Sequence, residues 1–590
     1  MTDPQMTERY YSTSTAFLEA LTEAGVTYIF ANLGSDHPGL IEALARAKAE
    51  GRADQIPRII VCPHEMVAVS AAHAYAMITG EPQAVIVHVD AGTQNLSGGG
   101  NKAMRGRVPV LVFAGTAPFT LQGELPGGRN EFIHWIQDVR DQRGILRNYV
   151  KYDNEIRSGR NVKQLVHRAL QIARSEPAGP VYLVGTREVM EEQVEPYPGD
   201  WAAHSTVAPV ALTPEVTAEI ATALAGARRP LIVTSYLGRD PGAVPRLVDL
   251  AELLGITVIE ATAYHVNFPV GHPLHGGFQY HSAGQNPLLA EADVILTIDS
   301  DVPWIPSVNR PSDDAAIYCV DVDPLKSQMQ MWHIPARRFA TASPGVAVEQ
   351  IARFVRDNDL ADKTAVEARI AAARHAHEQA AAERDAIEQP TDGFITAEYL
   401  TACLRRLLEG EDAIVLTEAV THSKAVAEHL RPNVPGTVLH HGGGVLGWWG
   451  GAVVGAKLAA PERTVVALVG DGTFLFGIPA SALWVARRYE TPALTVIYDN
   501  RGWAAPKSST LRVHPEGAAA RYDDFNVSFE PEADLPGVAL AAGAGFGATV
   551  SDPEELTQVL KDALAVVHDG RSAVVSVQLR GALTFGARAA

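Results

Sequence analysis

The 590-residue chain carries a formal net charge of −19, from 49 lysines and arginines against 68 aspartates and glutamates. This excess of negative charge argues against nucleic acid or an anionic membrane as the main partner, because either would require a basic face. No stretch approaches the apolar length that spans a bilayer, and the polar N-terminus lacks the apolar core of a signal peptide. The three cysteines are scattered, which disfavours a disulfide framework, so we expect a cytoplasmic protein of about three or four domains.

The first part of the chain alternates helical patterns with short β-branched runs. A helical spacing over residues 13–24 ends at Gly25, and strands are predicted over 26–31, 83–89, 109–114 and 180–184. Such alternation is typical of a parallel sheet covered by helices, so we predict a first doubly wound α/β domain over residues 10–190.

Two further blocks repeat this alternation. A Pro- and Gly-containing stretch over 198–213 separates the first domain from a second α/β domain over 210–355. An Ala-, Glu- and Arg-rich segment predicts a helical connector over 356–392, and a third α/β domain follows over 395–580. The predicted fold is therefore three doubly wound α/β domains, each with a mainly parallel sheet.

Polar residues follow two predicted strands of the third domain. One strand ends in Gly470-Asp471-Gly472, and the next ends in Asp499-Asn500-Arg501-Gly502. Because parallel strands of a βαβ unit end at the same edge of the sheet, Asp471 and Asn500 should lie together. Two side-chain oxygens and a loop carbonyl suit Mg²⁺, and glycines let the backbone approach a diphosphate. An ordinary βαβ turn with polar strand ends is the alternative.

This arrangement resembles the signature of thiamine diphosphate enzymes, in which GDG is followed one strand later by a pair of asparagines. Asp499 stands where the first asparagine is expected. The resemblance implies that Asp471, Asn500 and the Gly502 carbonyl hold Mg²⁺. It also implies a cofactor site that includes Gly470, Gly472 and Thr473.

A glutamate for the cofactor's activation is predicted near the N-terminus. The aminopyrimidine of thiamine diphosphate can remove the C2 proton of the thiazolium only if a carboxyl group holds its ring nitrogen. Glu65 follows an apolar strand and precedes a run of small residues, as in the His-Glu-x-x-Ala segment of the acetolactate synthase-like family. The alternative is that Glu65 only caps the helix.

The resemblance extends over roughly residues 10–580 and implies further roles. It places Thr421 and His422 at the diphosphate, and Gly444 and Leu446 in the segment whose apolar residue bends the cofactor. It implies a homodimer or homotetramer in which Glu65 of one subunit meets the metal site of its neighbour. Near the substrate we expect Asp36, His37 and Gln137, beside His134 and Arg129. Hydrogen-bonded core or surface side chains are the alternative for these residues.

The predicted activity is acetolactate synthase-like cleavage or formation of a carbon–carbon bond next to a carbonyl, on a small 2-oxo acid. A 2-hydroxyacyl lyase, a simple 2-oxo acid decarboxylase and a silent thiamine-fold regulatory protein remain alternatives. Asp299 and Asp301 follow a central strand where negative charge would repel a dinucleotide, so FAD is not expected. Residues 501–522 are predicted to form a closing loop, with Lys507 or Arg512 binding a substrate carboxylate.

Overall fold

Three six-stranded sheets organise the computed structural model, which describes residues 10–280 and 284–579. Every strand pairing is parallel, and helices connect the strands. The expected class of three doubly wound α/β domains is therefore confirmed.

The first sheet has the order β2-β1-β3-β4-β6-β5. Its strands are β1 (Tyr28–Asn32), β2 (Arg58–Val61), β3 (Ala84–Val87), β4 (Leu111–Thr116), β5 (Tyr152–Ile156) and β6 (Val181–Thr186). The helices of this domain are α1 (Thr13–Glu23), α2 (Pro38–Ala49), α3 (Glu65–Thr79), α4 (Val89–Arg105), α5 (Ile133–Ile136), α6 (Gln142–Leu146), α7 (Val162–Arg174) and α8 (Arg187–Glu191).

The central sheet has the order β12-β11-β10-β7-β8-β9. Its strands are β7 (Pro230–Thr234), β8 (Thr257–Ala261), β9 (His275–Gln279), β10 (Val294–Ile298), β11 (Ala316–Asp321) and β12 (Arg338–Thr341). The helices are α9 (Pro214–Gly226), α10 (Ala243–Leu254), α11 (Pro287–Glu291) and α12 (Pro344–Asp357). This is the strand order of dinucleotide-binding domains, in which ligands bind where the order reverses, here between β7 and β10.

A long helix, α13 (Lys363–Ala386), joins the central and third domains. None of its residues is buried, which agrees with a charged and alanine-rich sequence. Across the described ranges, no helix combines the length and the apolar character needed to cross a bilayer.

The third sheet has the order β14-β13-β15-β16-β18-β17, which repeats the topology of the first. Its strands are β13 (Ala413–Glu418), β14 (Val438–Leu439), β15 (Thr464–Gly470), β16 (Leu494–Asp499), β17 (Phe546–Val550) and β18 (Ala573–Gln578). The helices are α14 (Ala397–Leu407), α15 (Ser423–Leu430), α16 (Trp449–Ala459), α17 (Asp471–Phe476), α18 (Pro479–Arg488), α19 (Ala504–Val513), α20 (Ala518–Tyr522), α21 (Leu535–Ala542) and α22 (Pro553–His568).

The first and third domains share one hydrophobic core through α3 and α16. A Cβ atom on Gly451 would lie 2.1 Å from the Val67 carbonyl oxygen, and one on Gly455 would lie 2.0 Å from that of Ala71. Only glycine allows the two helix backbones to approach this closely. The helix that begins at Glu65 is therefore packed directly on the helix that follows Leu446.

Candidate active site

The carboxyl ends of β15 and β16 bring Asp471 and Asn500 together. The Gly502 amide donates to Asp471 Oδ2 at 2.7 Å and to Asn500 Oδ1 at 3.3 Å. The Gly472 amide donates to the other Asp471 oxygen at 2.8 Å. Two buried side chains that are far apart in sequence thus share one amide donor, and their oxygens lie at one point of the sheet edge.

This donor set fits a divalent cation. Burial raises the pKa of Asp471 to about 6, and the nearby Asp499 carboxylate acts in the same direction. A bound cation would favour the charged form of Asp471. One carboxylate, one amide oxygen and a backbone carbonyl are hard oxygen ligands, which Mg²⁺ prefers.

The same edge has room for a diphosphate. A Cβ atom on Gly444 would meet no atom within 4 Å, and one on Gly470 would meet only Thr473 Oγ1, at 3.8 Å. His422 Nε2 is buried and makes no hydrogen bond to the described part of the chain. Burial lowers the pKa of His422 to about 4, so the ring is neutral at physiological pH. A bound ligand could fill the open space beside Gly444 and Gly470 and give His422 Nε2 a hydrogen-bond partner. Thr421, next to His422, is exposed.

Gly472 has a packing role that the sequence does not show. A Cβ atom there would lie 2.3 Å from the Trp503 ring. Trp503 is held by a hydrogen bond from its amide to the Val527 carbonyl, and its ring packs edge-on against Phe529 at 4.9 Å. The contact of Gly472 with a cofactor remains a prediction.

Leu446 lies in the irregular segment between β14 and α16. Its side chain is only half-buried, whereas Trp448 and Trp449 behind it are fully buried. Leu446 is therefore not an ordinary core residue, and its role against the cofactor remains a prediction.

Glu65 begins α3 and is 5% exposed. Its Oε1 accepts from Asn32 Nδ2 at 2.8 Å, and its Oε2 accepts from Asn95 Nδ2 at 3.1 Å. The helix cap is made instead by His64, whose Nδ1 accepts from the Met66 amide. Glu65 is thus a buried carboxyl group held by two neutral amides rather than the side-chain cap of α3.

Asp36 pairs with a histidine that sequence reasoning missed. Its Oδ1 lies 2.5 Å from His88 Nδ1, and its Oδ2 accepts from the Val89 amide at 3.0 Å. This hydrogen bond raises the pKa of His88, and Gln137 contributes in the same direction. The backbone is strained here, because Val89 has φ = +32°. His88 lies near the end of the predicted strand 83–89 and directly follows β3, so its place at a carboxyl edge was the available signal.

His37 does not act as the partner of Asp36. Its Nδ1 accepts from the Gly34 amide at 3.0 Å, and burial lowers the pKa of the ring. A neutral His37 stabilises the turn, so its 3.2 Å approach to Asp36 Oδ1 is not an ion pair.

Gln137 lies at the end of α5 beside His88. It is buried, and its Nε2 makes no hydrogen bond to the residues the structure describes. His134 is buried behind it and bonds to Arg187, with Nη1 and Nε2 separated by 2.9 Å. Arg129 bonds to the Pro118 and His134 carbonyls and pairs with Asp138. His134 and Arg129 therefore build the wall that carries Gln137.

The prediction that residues 501–522 form an irregular closing loop is wrong, because most of this segment is helical. Residues 504–513 and 518–522 are the helices α19 and α20. Lys507 is 4% exposed, and its Nζ lies 2.9 Å from Asp523 Oδ1 and over the Phe525 ring. A buried lysine that is already paired with a carboxylate is not available to a substrate carboxylate, so the prediction that Lys507 binds the substrate is wrong.

A charged cluster fills the crevice between β7 and β10. Arg107 of the first domain contacts Asp299 at 2.5 Å, Asp301 at 2.7 Å and Asp321 at 3.1 Å. Arg239 and Lys326 complete the pairing. The negative charge expected at Asp299 and Asp301 is paired with Arg107, Arg239 and Lys326, so the argument that it repels a dinucleotide does not hold. The expectation that no FAD binds stays a prediction.

Three family models match the chain in the order of its three sheets. They are the N-terminal TPP binding domain of thiamine pyrophosphate enzymes over residues 12–145, the central domain over 217–336 and the C-terminal TPP binding domain over 418–577.

Similar proteins catalyse several reactions. A benzoylformate decarboxylase from Pseudomonas aeruginosa is 26% identical, over 93% of this chain and 96% of the relative. A sulfoacetaldehyde acetyltransferase from Castellaniella defragrans is 26% identical over 96% and 92%, and an acetolactate synthase from Bacillus subtilis is 22% identical over 93% and 90%. The structure of a thiamine diphosphate-dependent 4-hydroxybenzoylformate decarboxylase from Rhodococcus jostii RHA1 has the same fold, with a TM-score of 0.76, 22% identity and coverage of 97% and 99%. The chain therefore belongs to the thiamine pyrophosphate-dependent enzymes of the 2-oxo acid decarboxylase and carboligase family.

Proposed function

We propose that this enzyme binds thiamine diphosphate with Mg²⁺ and decarboxylates a small 2-oxo acid to an aldehyde. The observation that carries the proposal is the Asp36–His88 pair, which lies at the same sheet edge as Glu65. Decarboxylation leaves a carbon that must gain a proton in place of the lost carboxylate, so a positioned proton donor is required. The similarity to benzoylformate decarboxylase supports the same reaction class.

The cofactor, when bound, would supply the nucleophilic thiazolium carbon, and the metal would offset the charge of the diphosphate. Asp471, Asn500 and the Gly502 carbonyl would hold the metal, with Gly470, Gly472, Thr473, Thr421, His422 and Gly444 around the diphosphate. Glu65 would hold the pyrimidine nitrogen. Its oxygens accept from the amides of Asn32 and Asn95, which keep the carboxyl group in place at the start of α3.

His88 would hold and deliver the proton. Asp36 stabilises the imidazolium and raises the pKa of His88, so the ring holds its proton to higher pH than a free imidazole does. Gln137 contributes to the raised pKa of His88 and would orient either the ring or the substrate carboxylate. Water would be excluded by the buried wall behind Gln137.

Ligation is the second candidate function. In this reaction, the fragment left after decarboxylation is transferred to a second carbonyl compound. The similarity to an acetolactate synthase and to a sulfoacetaldehyde acetyltransferase supports such a transfer. The same His88 would then protonate the acceptor's carbonyl oxygen.

A homodimer or homotetramer with the site at the subunit interface is part of the proposal. Large apolar side chains are exposed beside Gln137, among them Phe132 at 80% and Ile136 at 75%. Leu475 and Phe476 are also exposed directly after the metal-site residues. Apolar surface of this kind marks an interaction site, and a second copy of the chain would cover both apolar areas.

A reducing cytoplasm is the proposed location, because it suits the three buried free cysteines.

The first test is cofactor binding to chelator-treated protein, measured by calorimetric titration with and without Mg²⁺. Wild type should bind thiamine diphosphate only with the metal, and at a hundred times Kd the native state should gain about 2.7 kcal/mol. Asp471→Ala should weaken binding by at least about 100-fold, because it removes a metal ligand. The exposed Asp569→Ala is the control and should bind as wild type.

The second step is a panel of 2-oxo acids followed by CO₂ release and product mass. Aldehyde as the main product supports the decarboxylase, and a hydroxyketone formed with added acceptor supports ligation. Wild-type protein that binds no cofactor would overturn the proposal.

A further inference from the structure

Lys102 is a fully buried lysine that reaches from the first domain into the third. It lies in the last turns of α4, and its side chain is 0% exposed. Its Nζ donates to the Leu446 carbonyl at 2.9 Å and lies 3.6 Å from Glu418 Oε1. Burial of an ammonium group is costly unless it is paired, so these two contacts account for its presence there.

Glu418 ends β13 and is likewise buried. Its oxygens accept from the Trp448 amide at 3.2 Å and the Trp449 amide at 2.9 Å. His441 Nδ1 accepts from the Gly443 amide, which leaves Nε2 as the protonated nitrogen, 3.3 Å from Glu418 Oε1. Burial alone would raise the pKa of Glu418, but Lys102 and His441 hold it at about 2.

The segment 441–449 is therefore fixed at three points. Glu418 accepts from the two tryptophan amides at one end, His441 Nε2 lies 3.3 Å from Glu418 Oε1 at the other end, and Lys102 donates to the Leu446 carbonyl in the middle. Between these points the segment has no helix or strand, so its path depends on the buried pair. Gly444 and the half-buried Leu446 lie in this segment.

We infer that Lys102 is a positioning residue, which fixes Leu446 against the bound cofactor through the Leu446 carbonyl. The inference rests on the proposed function. Lys102 acts from the same chain as Leu446, whereas the proposed site takes Glu65 from the partner subunit. Glu418 keeps the ammonium group in place and completes the support of the segment.

The test uses the holoenzyme with thiamine diphosphate and Mg²⁺ and three variants: Lys102→Met, the double variant Lys102→Met/Glu418→Gln, and Lys163→Met. Lys163 is a matched control, since it is also buried and paired with two carboxylates, Glu19 and Glu23, within the first domain. The readouts are the melting temperature, the cofactor dissociation constant, the near-UV circular dichroism of the bound cofactor and the rate of C2 hydrogen–deuterium exchange.

Lys102→Met should slow C2 exchange by about 10- to 100-fold and change the circular dichroism, because the cofactor is held in a different shape. The double variant should recover melting temperature, since no unpaired charge is left, but exchange should stay slow because the Leu446 carbonyl still lacks its donor. Lys163→Met should exchange at the wild-type rate even if its melting temperature falls.

If the double variant melts normally and its C2 exchange proceeds at the wild-type rate, the inference is overturned, because Lys102 would then serve only to pair the charge of Glu418. If either Met variant does not fold, Lys102→Leu, which also lacks a donor, provides the comparison; exchange at the wild-type rate in that variant also counts against positioning. Wild-type protein that fails to bind cofactor would overturn the proposed function, and this inference with it.

Discussion

The ionisable side chains at the first domain's sheet edge have opposite kinds of partners. Glu65 is held by the neutral amides of Asn32 and Asn95. His88 is held by the carboxylate of Asp36, which favours the charged imidazolium. In the proposed mechanism the amides position Glu65 for the pyrimidine nitrogen, and Asp36 favours the proton on His88.

The Asp36–His88 pair predicts a pH dependence. Asp36 raises the pKa of His88 above its ordinary value of 6.5, so the protonated form persists to higher pH than in a free imidazole and is lost as pH rises through the raised pKa. Activity that needs this proton should show a fall in kcat/KM on the alkaline side. Asp36→Asn should move that fall to lower pH, as measured by pH–rate profiles. Asp569→Asn, at an exposed carboxylate far from the site, should leave the profile unchanged, and an unmoved profile in Asp36→Asn would rule out His88 as the donor.

Glu65 gives a second prediction at this scale. Glu65→Gln keeps the size of the side chain but cannot exchange a proton with the pyrimidine nitrogen. C2 hydrogen–deuterium exchange of bound cofactor, followed by NMR, should slow by about 10²- to 10⁴-fold. Binding should change by less than about tenfold, because the metal site is intact. Glu81→Gln is the control on the exposed surface, and wild-type exchange in Glu65→Gln would mean that another carboxyl group activates the cofactor.

The sequence predicts site residues best when two of them end neighbouring strands and form a recognisable pair. Asp471 and Asn500 could be placed together because two parallel strands must end at one edge. His88 was missed because a single histidine at a strand end has no periodic pattern. Lys507 was misassigned because its partner Asp523 is found only when the chain folds.

At the scale of elements, the contact between α3 and α16 should tolerate no added atom. Gly455→Ala places a Cβ 2.0 Å from the Ala71 carbonyl oxygen, and backbone cannot move aside as a flexible side chain can. We expect a loss of about 1–3 kcal/mol in stability, measured as a lower denaturation midpoint. Gly226→Ala, in α9 with no atom within 4 Å, is the control and should be neutral or slightly stabilising. Equal midpoints for the two variants would mean that the helices separate easily.

Most of the strands that sequence reasoning missed lie at sheet edges. Interior strands such as β4 and β10 are largely apolar and were predicted. Seven strands were missed: β5, β9, β12, β14 and β17 at sheet edges, and β13 and β18 in the interior of the third sheet. Edge strands are half-exposed, as in Arg338–Thr341, so they lack the continuous apolar run that identifies a buried parallel strand.

At the scale of the molecule, the exposed apolar surface beside Gln137 predicts an oligomer. Ile136→Glu places a charge in the proposed interface and should shift the protein toward monomer in sedimentation velocity, with loss of activity because the site is shared. Met331→Glu is a matched control, since Met331 is 92% exposed on the central domain. Monomeric wild-type protein with full activity would contradict a shared site.

The glycine contact between α3 and α16 also constrains how the chain is made. The partner of α3 begins 384 residues after Glu65. At about 5–20 residues per second, synthesis leaves the α3 face uncovered for roughly 20 to 80 seconds. During that interval the nascent first domain exposes Val67 and Ala71, which the native core buries. An α16 from a neighbouring nascent chain would fit that face equally well, so crowded ribosomes on one message favour exchange of helices between chains.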